Sequence, residues 1–163
     1  MKKIKYEEKI FEAYIGTPAK FSWYKKAFEY FGKKEGKLSW YWNSWAMIGG
    51  FWYFLYRKQL KVALIILFVT LILGTFLPLF IFLYALALMA ILLGGFGTWF
   101  VYKQYLEKCE EVEAVLDEDE KRIMAMQQVG GINPWAISVA IFALVSLILI
   151  VIGLFEMAGN TVQ

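Results

Sequence analysis

Two stretches of this chain carry no charge at all: Val62 to Tyr102 and Ile123 to Phe155 contain no Asp, Glu, Lys or Arg, giving uncharged runs of 41 and 33 residues. About 20 apolar residues in a helix cover the hydrocarbon layer of a bilayer. The first run is therefore long enough for two crossings and the second for one. A soluble domain of 163 residues has little use for such runs, and the overall composition, 60% apolar with a mean hydropathy of +0.53, points the same way. The expected fold is all-α: a polytopic membrane protein with three transmembrane helices and an additional aromatic interfacial or re-entrant helix.

Local signals divide the chain further. Gly74, Thr75 and Pro78 interrupt the first run, so residues 59–101 read as a transmembrane hairpin with a tight outer turn. Residues 102–133 form a polar connector with eight acids against four bases, and Tyr105, Leu106, Cys109, Val112 and Leu116 give it a helical apolar edge. Gly130 and Gly131 end that helix. Ile132-Asn133-Pro134-Trp135 opens the third crossing, 134–155, with a proline where a missing N–H costs nothing and a tryptophan suited to the interface. Residues 156–163 remain as an outer tail.

Cytoplasmic loops are enriched in Lys and Arg. Arg57, Lys58 and Lys61 precede the hairpin, Lys103 and Lys108 follow it, and the tail has no base. The expected placement is a bacterial inner (plasma) membrane with the N-terminus cytoplasmic and the C-terminus outside. Residues 2–12 mix lysines with glutamates, unlike a cleavable signal.

Residues 1–43 read as a cytoplasmic amphipathic cap. Thr17 can cap a helix that starts at Pro18 and stops at Gly32, with Phe21, Tyr24, Phe28 and Phe31 on one face and Lys20, Lys25 and Lys26 on the other. That face would lie either in the headgroup layer or against the rest of the protein. Residues 44–58 follow as an aromatic helix capped by Asn43 or Ser44. It has only about a dozen uncharged residues and bases on both sides, so it should not cross.

Inventory excludes several chemistries. There is no histidine and a single cysteine, Cys109, which removes imidazole-ligated metals, His-ligated haem, Ser-His-Asp hydrolysis and an intrachain disulfide. No catalytic residue, metal or cofactor is expected. A proton or ion path normally shows an ionisable residue in mid-membrane, and the crossings have none. Thr70, Thr75, Ser138 and Ser146 are scattered hydroxyls, Glu110, Glu113 and Asp117 read as a solvated acidic face, and Gly94-Gly95-Phe96-Gly97 lacks the lysine of a nucleotide loop. A net charge of +3 beside membrane segments suits anionic lipid better than nucleic acid.

Two sets of residues stand out. Trp40, Trp42, Asn43, Trp45, Trp52 and Tyr56, next to Arg57, Lys58 and Lys61, combine interfacial aromatics with cations; they would seat an anionic headgroup, dock a partner segment, or merely fix depth and tilt. Ala87, Ala90, Gly94 and Gly97, and Ala136, Ala140 and Ala143, form small-residue stripes that let helices approach, within the chain or in a homodimer.

The run Ser39-Trp40-Tyr41-Trp42-Asn43-Ser44-Trp45-Ala46, followed by Gly49-Gly50-Phe51-Trp52-Tyr53-Phe54-Leu55-Tyr56-Arg57-Lys58, resembles a family of small bacterial inner-membrane proteins that share a domain of unknown function. Phe11-x-x-Tyr14-Ile15-Gly16 and the aromatic residues 21–31 are similar to that family's leader, so the likeness covers roughly residues 10–100. Gly50 stands where a proline is common in the family. The resemblance implies architecture and no activity. On these grounds the expected role is a non-catalytic accessory or scaffold subunit of a larger membrane complex, with membrane lipids and a membrane-protein partner or second copy as contacts. The alternatives are a small oligomeric channel or transport component, and a lipid or quinone binder.

Overall fold

A computed structural model describes residues 2–160, with side-chain surroundings for residues 8–153 except 147 and 151. All regular structure among the described residues is helical: α1 (Lys2–Ile15), a 3-10 turn (Pro18–Lys20), α2 (Phe21–Lys33), α3 (Ser44–Tyr56), α4 (Leu60–Phe76), α5 (Leu79–Val115), α6 (Asp119–Val129) and α7 (Pro134–Asn160). Two helical stretches, α5 and the Asp119–Ile150 stretch that contains the start of α7, are long and apolar enough to cross a membrane. The apolar helix α4 is shorter, at 17 residues. In the most apolar windows of the two long stretches only 17% and 6% of residues are buried by protein, the reverse of a soluble core helix.

Prolines set the boundaries as expected at Pro78, which precedes the first turn of α5, and at Pro134, which opens α7, whereas Gly74 and Thr75, expected in the hairpin turn, lie inside α4 and the chain turns at Leu77 and Pro78. Two further boundaries differ. Thr17 does not cap α2; its hydroxyl donates to the Ile15 carbonyl at 3.1 Å, so the chain makes a 3-10 turn before α2 begins at Phe21. The second half of the hairpin and the first part of the acidic connector are one continuous helix of 37 residues, because nothing between Phe100 and Val115 interrupts the backbone hydrogen bonding.

The polar-side helices enclose an aromatic core. The apolar face of α2 is covered by protein: Phe28 lies 5.2 Å and Phe31 5.3 Å from the Tyr102 ring of α5, and Phe28 lies 5.3 Å from Tyr105. Ile10, Tyr14 and Ile15 of α1 and Met126 of α6 complete it. The Tyr14 hydroxyl donates to Gln104 Oε1 at 2.9 Å, and burial pushes this phenol above its ordinary range. Helix α1 is fastened to the α6–α7 junction through glycines. The Gly131 N–H donates to the Tyr14 carbonyl at 2.6 Å, and a Cβ on Gly130 would overlap that carbonyl. Gly16, at φ +61°, faces Gly131.

Candidate functional site

Residues 38–43 cross α5 in extended form and hydrogen-bond to the side of that helix. The Tyr41 N–H donates to the Gly95 carbonyl at 2.8 Å and the Asn43 N–H to the Gly94 carbonyl at 2.7 Å. A chain comes this close to a helix only where side chains are missing. A Cβ on Gly95 would overlap the Trp40 ring, one on Gly94 would lie 2.9 Å from Met47 Cβ, and one on Gly97 would lie 2.6 Å from Ala46 Cβ. The glycines thus receive the tryptophan segment and α3. Of the same stripe, Ala87 is exposed and Ala90 half-buried. On α7, Ala136 is buried and Ala140 and Ala143 are half-buried; the principal contacts of α7 are with α3.

Asn43 organises the segment. Its Oδ1 accepts from the N–H groups of Trp45 (3.0 Å) and Ala46 (3.3 Å), capping α3. Its Nδ2 donates to the Tyr53 hydroxyl (3.0 Å) and to Thr98 Oγ1 of α5 (3.1 Å), which uses the whole hydrogen-bonding capacity of the amide. The Tyr53 hydroxyl is also 3.1 Å from that of Tyr24, so α2, α3 and α5 meet in one buried polar chain. Burial, helped by Tyr24 and opposed by Arg57, holds the Tyr53 phenol well above its ordinary value and therefore uncharged.

Arg57 ends α3 and is only 4% exposed. Its Nη1 donates to the carbonyl of Ile15, the last residue of α1, at 3.1 Å. Its guanidinium carbon lies 4.8 Å from the centroid of the Tyr24 ring, and its Nε has no partner. Among the described residues no carboxylate lies within ion-pair distance of it. A helix C-terminus carries roughly half a negative charge, so the α1 end offsets the cation only in part.

Beside Arg57 opens a cavity of about 720 Å³ between α2, α3 and the start of α7. Six of the nine residues expected from the sequence line it: Trp42, Asn43, Trp45, Trp52, Tyr56 and Arg57. The other three are elsewhere. Trp40 lies over Gly95 and 5.1 Å from the Phe96 ring, Lys58 Nζ donates to the Gln128 carbonyl at 2.9 Å, and Lys61 is exposed. Ala136 and Ala140 line the α7 wall together with Ile137 and Ile141. Lys20, Trp23, Tyr24 and Tyr53 also line it, with Thr17, Ser44 and Gly49, and none of these is among the site residues expected from the sequence. Tyr24 lay on the amphipathic face of 21–31 and Tyr53 within the aromatic run, but only the fold brings them together.

The cavity has two characters. Its floor is polar, made by Asn43, the Tyr24–Tyr53 hydroxyl pair and Arg57. Its walls are indole rings and α7 aliphatics, and Trp45 and Ile141, 68% and 59% exposed, carry the apolar lining onto the outer surface. Elsewhere, Thr70 and Thr75 donate to the Ile66 and Leu71 carbonyls of their own helix, at 2.8 Å each. Among the described residues no group of acids and cysteine is arranged to hold a metal, and Cys109 is a free, half-buried thiol. In comparisons with known proteins no family model matches the chain, and neither the curated proteins nor the solved structures contain a match.

Proposed function

We propose that this chain is a non-catalytic, three-pass protein of the bacterial inner membrane that holds a membrane lipid in the α2–α3–α7 cavity at headgroup depth, with its N-terminus in the cytoplasm. The observation that carries the reading is the cavity itself: a polar floor under aromatic and aliphatic walls that run out onto the exposed surface of α7. Its volume is in the range that takes up most of a small ligand. A headgroup fits the floor, and an acyl chain leaves along Ile137 and Ile141. Arg57, Lys58 and Lys61 at the end of α3 and the start of α4, with the indole rings there, support a position at the inner leaflet.

Native mass spectrometry of the full chain, extracted in mild detergent, tests this. About one lipid per chain should survive extraction, and Ala140→Trp, which fills the cavity from α7, should release it. A chain that carries no lipid under any mild condition overturns the reading.

A further inference from the structure

We infer that the lipid is an anionic one, and that Arg57 is the residue that receives its charged head. This rests on the lipid-binding reading and adds the ligand's charge and the group that recognises it. A buried cation is costly unless it is paired and fully hydrogen-bonded. Arg57 lines the cavity and is held by one carbonyl and one ring face, and its Nε, shielded from the cavity, has no acceptor, which leaves the cation without a counter-charge. Among the described residues, none around it supplies an anion. Tyr24 and Tyr53 offer hydroxyls to each other, and the Asn43 amide is fully engaged. Lys20 also lines the cavity, so the nearby side chains add positive charge.

A phosphate or carboxylate oxygen on a lipid head matches this deficit. Arginine presents a planar fork of N–H groups suited to such an anion, whereas a lysine is a point charge. A free inorganic anion would satisfy the floor and leave the indole and aliphatic walls uncovered, so the amphiphile is favoured over the ion.

The test uses the full-length protein, delipidated in a neutral detergent, and compares phosphatidylglycerol, phosphatidylcholine and inorganic phosphate by thermal shift and native mass spectrometry. Phosphatidylglycerol should bind roughly tenfold more tightly than phosphatidylcholine, the scale of one charged hydrogen-bonded contact, and inorganic phosphate should not displace it. Arg57→Gln should reduce that preference to near unity while retaining phosphatidylcholine binding, and Lys61→Gln, on the exposed side, should leave it intact. Arg57 also holds the end of α1, so a variant that fails to fold is replaced by Arg57→Lys, which keeps the charge, loses the planar fork and should lower the preference severalfold.

Equal binding of the two lipids by the natural chain, displacement by inorganic phosphate, or a preference that survives unchanged in folded Arg57→Gln or Arg57→Lys overturns the inference. Equal binding leaves the lipid-binding reading standing, whereas no binding of either lipid removes that reading first.

Discussion

The polar-side core of α1, α2, α6 and the lower half of α5 and the apolar shafts of α4, upper α5 and α7 differ in composition, the shafts being far richer in large apolar residues, and are held by different physics. In the core, Tyr14, Phe31 and Met126 are fully buried against neighbours from distant parts of the chain, glycines occur where backbones touch, and the Tyr14 hydroxyl is bonded across the core to Gln104 of α5. Along the shafts Phe68, Phe80 and Phe142 point outward, and the hydroxyls of Thr70 and Thr75 are satisfied within their own turn. The first pattern suits a region folded against water, where burial of apolar surface drives packing. The second suits lipid, which is as apolar as the side chains and rewards only internal hydrogen bonding and close approach.

Substitutions that trade a contact in one region for its counterpart in the other should separate the two. The largest effect is expected from glycines. Gly130→Val drives a side chain into the Tyr14 backbone and should cost more than about 3 kcal/mol, beyond ordinary overpacking. Gly153→Ala, with nothing within 4 Å of the added carbon, should leave the melting temperature unchanged. Equal effects would remove the distinction.

Next come the phenylalanines. Phe31→Ala, in the closed core, should destabilise by roughly 3–5 kcal/mol, and Phe142→Ala, on an exposed shaft, by less than about 0.5 kcal/mol in detergent. A large loss at Phe142 would mean that protein covers that surface. Asn43→Ala should fall between them, at about 1–3 kcal/mol, since it removes the α3 cap and strands Tyr53 and Thr98. Asn43→Asp keeps the cap acceptor and loses both donated bonds, so comparing their unfolding midpoints apportions the loss.

The smallest effect concerns the exposed Lys25–Glu8 pair, 2.9 Å apart, which joins α2 to α1. Its hydrogen bond and charge hold Glu8 below the ordinary carboxylate range and Lys25 above the ordinary amine range. The contribution is fully present between those two ranges, fades as pH falls through the lowered Glu8 value, and fades as pH rises through the raised Lys25 value. Urea midpoints of the natural chain and Glu8→Gln should converge at both extremes and differ only slightly near neutrality.

What was legible in the sequence was local. Asn43 before an apolar stretch marks a helix start, Pro78 and Pro134 mark two more, and the uncharged runs mark the apolar shafts, because caps, proline and hydropathy act over a few residues or a single turn. What was not legible depended on partners far along the chain. The stripe Gly94 and Gly97 announced close approach but not that Met47 and Ala46 would be the ones approaching. The amphipathic face of α2 fitted a lipid surface as well as a protein one until Tyr102 and Tyr105 met it. Six cavity residues were readable from aromatic and cationic neighbours in sequence, whereas Lys20, Tyr24 and the α7 wall join only through the tertiary fold.

One feature of α5 couples these regions mechanically. It runs unbroken from Leu79 to Val115, about 55 Å at 1.5 Å per residue, and it is clasped close to its midpoint by the tryptophan segment at Gly94 and Gly95 and by α3 at Gly97. A rod set in a packed core at one end and clasped at its middle is a cantilever: Val101, Tyr102 and Val112 hold the lower half, so any bending falls on the exposed stretch between Leu79 and the clasp.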